Sequence, residues 1–323
     1  MLKPVASTLP EWKTTKLSYL SYDATKGQLP RLDSVDYFDA VIVTGSGCSA
    51  FESRPWISKL QSFITGLYKD KPRIRLFGSC FGHQIICHAL FGVRIPSEIV
   101  ALALTFSSNE HQQASEEEDF PHGGRLSPPN PNPVVSRNPK GWEIRVHAIN
   151  LSAKFMVRFG AVSSNPVAPS QMRLRLIHRD HVNPNSVPDD FVKVGGSELS
   201  EIQGVYKRGR VLTLQGHPEF DDEVILDSGK PILGDRVADK IRTGQDDSQY
   251  AARAILEFLR EEVVEERVGE GRAADGVTGG GVNEEVTDTG VEGAVTEVDV
   301  VTRLIPLFEK LTVCERALVL RSG

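Results

Sequence analysis

Residues 78–84 read Gly78-Ser79-Cys80-Phe81-Gly82-His83-Gln84 and mark the point where an apolar run turns into a helix. Ile74–Phe77 ahead of them has the character of a short strand, and Phe81–Phe91 behind them that of a helix. The pattern is G-x-C-x-G. Glycines two residues to either side of a nucleophile permit a sharp, strained turn that points the side chain out at the carboxyl edge of a sheet. A thiol there sits at a helix N-terminus, whose partial positive charge favours the thiolate. The amide N–H of Phe81 then faces an oxyanion. Cys80 is the candidate nucleophile, against the bland reading of a small buried residue in an ordinary βα turn. Cys87 lies on the apolar helix with Ile85, Ile86, Ala89 and Leu90 and is assigned packing alone. Cys48 and Cys314 have no flanking chemistry.

Outward from this junction, short β-rich runs alternate with helical ones, which predicts an α/β sheet with crossover helices. Tyr37–Thr44 is an apolar run ending at Gly45 and reads as a buried parallel strand. Arg54–Lys69 spaces Trp56, Leu60, Phe63, Ile64 and Leu67 helically, with Pro55 in the first turn. Further strands are expected at Trp142–Ile149, Met172–Ile177, Phe191–Val194 and Val205–Leu214, and a closing helix at Ser248–Glu262. The last of those strands runs into Gln215-Gly216-His217-Pro218-Glu219-Phe220. Pro218 restricts His217 to an extended conformation and so presents its imidazole at a strand end. Glu219, two residues on, is placed to orient the ring and stabilise imidazolium, as the third member of a triad does.

Composition removes several classes of function. The chain has 323 residues with a formal net charge of −6, room for one large or two medium domains. Four cysteines without a CxxC pair are neither a disulfide framework nor a zinc signature, so a reducing compartment, the cytosol, is expected and no metal site. No stretch reaches the roughly 18 uninterrupted apolar residues of a membrane span. Residues 257–299 carry 13 acidic against three basic side chains, so the acidity belongs to a tail. The small positive excess elsewhere is dispersed and no stacking motif interleaves with it, which excludes nucleic acid as a partner.

Two irregular segments interrupt the pattern. Residues 101–137 are expected to form an inserted flexible loop, rich in Pro, Ser and acids from Ser107 onward; His111 and His122 in it read as solvated surface residues. Residues 266–299 form an acidic, Gly-rich linker between a domain at 1–265 and a C-terminal segment at 300–323. There Val300, Val301, Leu304, Ile305, Leu307, Phe308 and Leu311 recur at helical spacing, which predicts a terminal amphipathic helix.

The pair G-S-C-F-G-H-Q and G-H-P-E, in that order, resembles the class I glutamine amidotransferase domain, and most of all its free-standing members similar to the glutaminase part of GMP synthase. Val43-Thr44-Gly45-Ser46-Gly47 is similar to the family's second oxyanion loop, and His178-Arg179-Asp180-His181-Val182 to its His-x-Asp loop beside the active site. The resemblance runs from about Leu17 to Leu259 and implies a three-layer, mostly parallel, flavodoxin-like sheet. It implies that Cys80, His217 and Glu219 form a triad, that Gly45, Ser46, Gly47 and Phe81 hold the oxyanion, and that Gln84 lies near substrate. His178 and Asp180 would border it. The implied reaction is hydrolysis of a glutamine or γ-glutamyl amide through a thioester, without a cofactor, with a synthase partner accepting ammonia in one version. A γ-glutamyl peptidase and a non-catalytic binding relative are the alternatives, and a cysteine α/β-hydrolase using Asp180 is a further one. The sequence departs from the family ahead of Lys16–Asp23, where the usual apolar strand and helix are missing. The sheet is therefore expected either to lack its first strand or to close with a substitute.

Overall fold

Strand composition alone divides the core into two. Ala40–Val43 is wholly buried, and its side chains alternate between two apolar clusters: Ala40 and Ile42 join one, Val41 and Val43 the other. The next strands do the same, Phe77 against Leu76 and Leu212 with Leu214 against Val211. A period of two with apolar residues on both sides requires cover on both faces, and hence three layers. A computed structural model describes residues 1–12, 17–92, 133–163, 169–224, 246–262 and 316–322. All of them belong to one unit, Met1–Val264 with Thr312–Gly323.

In chain order the elements are α1 (Leu2–Ala6), β1 (Leu17–Asp23), β2 (Ala40–Val43), α2 (Pro55–Asp70), β3 (Arg75–Ser79), α3 (Phe81–Phe91), β4 (Val135–Arg137), β5 (Glu143–Leu151), α4 (Ala153–Phe159), β6 (Gln171–His178), β7 (Asp180–Val182), β8 (Val192–Lys193), β9 (Gly195–Gly196), β10 (Val205–Lys207), β11 (Val211–Leu214), α5 (Ser248–Arg260) and β12 (Arg316–Ser322). The main sheet has the order β1-β12-β2-β3-β11-β10-β8. At its centre β2, β3 and β11 pair in parallel, while β12 and β10 run against the other five strands. Helices α2 and α3 pack over one face, with Ile57, Leu60, Ile64, Leu67, Ile85 and Ile86 fully buried. Over the other lie α5, α1 and the small sheet β6-β5-β9, through Ile255, Leu256, Phe258, Met172 and Leu174. Each such side chain contributes about 1.5–3 kcal/mol by leaving water.

Three expectations change. Val205–Leu214 is a hairpin and not one strand, because Gly209 at φ 63° turns the chain back on itself. The expected loop at 101–137 ends in strand: Val135–Arg137 pairs antiparallel with Asp180–Val182, while residues 101–132 lie outside the described residues. The terminal helix at 300–323 is corrected over its last part. Residues 316–322 form β12, antiparallel to β1 on one side and to β2 on the other. The run Ala317-Leu318-Val319-Leu320 satisfies a central strand as well as a helix, and pairing with β1 on one side and β2 on the other decides between them. The linker at 266–299 and residues 300–315 lie outside the described residues.

The central parallel pairs put Val43, Ser79 and Leu214 at one edge of the sheet, and α3 starts there pressed against β2. A Cβ on Gly82 would lie 1.9 Å from the Val43 carbonyl oxygen, and one on Gly78 2.5 Å from the Gly82 backbone. The glycines flanking Cys80 are thus required by close approach, and neither has a positive φ. Gly82→Ala is expected to destabilise by about 3 kcal/mol or more, since backbone is the obstruction and overpacking costs about 1–3 kcal/mol even where side chains can yield; urea unfolding checks it. Val319→Pro removes one ladder hydrogen bond worth about 1 kcal/mol and puts a proline ring inside a strand paired on both sides. It should lower the melting temperature by roughly 5 °C or more.

Candidate active site

Cys80 is the N-cap residue of α3 and holds φ 53°, ψ −111°, one of two non-glycine residues at positive φ among the described ones. Such a backbone costs on the order of 1–3 kcal/mol and persists only where neighbours enforce it. Here they do: the Cys80 N–H donates to the Leu214 carbonyl at 2.9 Å, and its own carbonyl accepts from the Gln84 N–H at 3.1 Å. The strained residue is the cysteine itself. Its thiol is 4.0 Å from the Ile177 carbonyl, which brings the His178–Asp180 loop alongside. Phe81, at the first helical position, has an N–H without an acceptor inside the helix.

His217 arrives from β11. Its N–H donates to the Arg175 carbonyl at 2.8 Å, forming a single bridge to β6, and Gly216 passes so close to β6 that a Cβ would lie 2.7 Å from Leu174. The ring is 3% exposed and stacks on Phe220 at 3.9 Å between centroids. Nδ1 donates to Glu219 Oε1 at 2.9 Å. The opposite edge faces Gly45, where an added Cβ would stand 3.1 Å from His217 Cε1, 4.0 Å from Nε2 and 3.9 Å from Cys80 Cβ. Cys80 and His217 therefore converge on one point above the turn after β2, and a side chain at position 45 would fill it. Burial opposes charge on the imidazole, but Cys80 and Glu219 outweigh it and push the pKa up to about 10. Glu219, partly desolvated beside His217, is nonetheless held below the usual carboxylate range by His217, its own backbone N–H and Ser79.

The other expected residues divide into two groups. Gly45 is at the centre; Ser46 Oγ accepts from the Cys48 N–H at 3.1 Å and shapes the turn, and a Cβ on Gly47 would enter open space. Gln84 is buried, and its Nε2 donates to the Asp180 carbonyl at 3.0 Å and to Gln215 Oε1 at 3.1 Å. Its amide braces the loop at Asp180. His178 Nδ1 donates to the same Asp180 carbonyl at 2.9 Å, and Nε2 faces Glu143 Oε2 at 3.1 Å. Burial would neutralise Glu143, yet His178, Ser197 and Ser200 draw its pKa down to about 2. Burial raises the Asp180 pKa, opposed by Ser49 and Arg137. With Glu219 on Nδ1 of His217 and Ser49 bonded to Asp180, the hydrolase arrangement built on Asp180 is disfavoured. Sequence reasoning passed over Ser79, Gln215, Phe220 and Glu143; the first three sit inside the two motifs, and only Glu143 carries no local signal. Cys87 is fully buried and its thiol is pushed up by burial, in keeping with packing.

His217 should titrate well above 6.5 by NMR of its imidazole. A group with a raised folded pKa gives stability that is complete below its unfolded value and is lost as pH climbs through the folded one. Melting temperature should accordingly decline between pH 6.5 and about 10, and decline less in Cys80→Ala.

The family model of class-I glutamine amidotransferases matches residues 24–225. A glutamine amidotransferase-like protein of Schizosaccharomyces pombe is 29% identical, over 78% of this chain and 84% of its own length. A glutamine amidotransferase-named protein of Saccharomyces cerevisiae is 28% identical over 64% of each chain, and gamma-glutamyl peptidase 4 of Arabidopsis thaliana 22% identical over 64% of each. The chain spans less than two thirds of the latter two. With its matched region extending from the end of β1 past the His-Pro-Glu turn, the chain belongs to the class I glutamine amidotransferase family.

Proposed function

We propose that this protein hydrolyses the γ-amide of glutamine or of a γ-glutamyl peptide, with Cys80 as nucleophile, His217 as acid and base, and Glu219 as the group that orients His217. The single observation carrying this reading is the convergence of Cys80 and His217 above Gly45 with Glu219 on the far ring nitrogen. The thiolate attacks the γ-carbonyl carbon, and the carbonyl π pair moves to oxygen. The N–H groups of Phe81 and of the Gly45, Ser46 and Gly47 turn stabilise that charge, each such donor being worth about 10²–10³ in rate. The carbon–nitrogen bond then breaks while His217 gives its proton to the departing amine, which leaves a γ-glutamyl thioester and neutral imidazole. Water adds with His217 taking its proton, the carbon–sulfur bond breaks, and glutamate is released with the thiolate–imidazolium pair restored. Gln84, His178 and Asp180 shape the wall beside the thiol through the Ile177–Asp180 loop.

Free glutamine releases ammonia, and in that version a separate synthase would accept it. A γ-glutamyl peptide releases a peptide amine and needs no acceptor; the relative named gamma-glutamyl peptidase supports weighing this version equally. Incubation with glutamine and with glutathione, following ammonia and cysteinylglycine, separates them. Wild type should turn over at least one, and Cys80→Ala neither. Equal turnover by Cys80→Ala would remove Cys80 from the mechanism, and no turnover by wild type would favour a binding role.

A further inference from the structure

Ser79 precedes the nucleophile and ends β3, buried to 3% exposure. Its hydroxyl has one proton and two acceptors in reach, Glu219 Oε1 at 2.9 Å and the Gly216 carbonyl at 3.3 Å. The shorter contact is to a charged oxygen, and charge-assisted bonds are the stronger ones. The same Oε1 accepts a hydrogen bond from His217 Nδ1 at 2.9 Å, so one carboxylate oxygen is fixed by two donors, one at the end of β3 and one in the turn after β11. Glu219 needs such fixing. Its side chain is 33% exposed and follows a proline, with no regular element around it. With the serine hydroxyl removed, His217 and the Glu219 backbone N–H would be left to set the carboxylate's direction.

We infer that Ser79 is a positioning residue that acts through Glu219, a fourth member of the relay Ser79–Glu219–His217–Cys80. It holds the carboxylate ionised and aimed at Nδ1 and touches no reacting atom. This inference rests on the hydrolase reading above. A donor to a carboxylate stabilises its charged form, so losing it moves the pH at which the carboxylate fails upward.

The test compares wild type, Ser79→Ala, Ser79→Thr and Ser79→Val, each also in a Glu219→Gln background. Two readouts are followed: steady-state hydrolysis, and the pH dependence of Cys80 alkylation by iodoacetamide. Ser79→Ala should lower kcat about tenfold, which corresponds to about 1.4 kcal/mol, with KM unchanged, and should move the acid limb of alkylation to higher pH. Ser79→Thr should restore both and Ser79→Val neither, the two having the same shape and differing by the hydroxyl. In the Glu219→Gln background Ser79→Ala should add nothing further. Equal effects of Ser79→Ala in both backgrounds, or an unmoved acid limb with kcat within twofold of wild type, would overturn the role. Should wild type cleave neither substrate, the assigned reaction fails on its own, and the alkylation arm still decides on Ser79. Should Ser79→Ala not fold, the Thr and Val pair decides.

Discussion

The parallel pairing of β3 with β11 is the constraint from which the site follows. Leu214 registers with Ser79, so Cys80 and His217 leave adjacent strands at the same edge, and Ser79 reaches Gly216 and Glu219 across 137 and 140 residues of sequence. Thiol, imidazole and carboxylate could not otherwise share a few ångströms. The pairing is backed on both faces by apolar side chains, and a one-residue slip would exchange them between two close-packed cores of different shape, which opposes it.

Strain and close packing work together at the junction. Gly82 lets α3 press on the end of β2, and that contact leaves Cys80 in a conformation an ordinary residue avoids. The pressed helix begins with the Phe81 N–H, which has no acceptor inside the helix. Gly45 then keeps that place open, since a methyl group there would meet both His217 and Cys80. The three glycines share a physical reason, which is approach distance; positive φ belongs to Cys80.

The sheet also shows how a family architecture tolerates a departure in sequence. The place next to β2, where the resemblance left a first strand expected, is taken by β12, antiparallel to β1 and β2. Backbone hydrogen bonding accepts either direction, and what the central position demands is an apolar run of sufficient length.

Local chemistry made much of this protein legible from its sequence. The G-x-C-x-G elbow, the Gly-His-Pro-Glu turn and helices at 55–70, 81–91 and 248–260 follow from spacing, proline and glycine, which act within a few residues. Glu219 was readable as the partner of His217 because the two are near neighbours. What only the tertiary structure decided depends on contacts across the chain: Ser79 on Glu219, Gln84 bracing the Asp180 carbonyl, Glu143 under His178, and Ala317–Leu320 as strand. A serine hydroxyl or an apolar tetrapeptide has no preference of its own among these fates. The groups that fold brings to it select one.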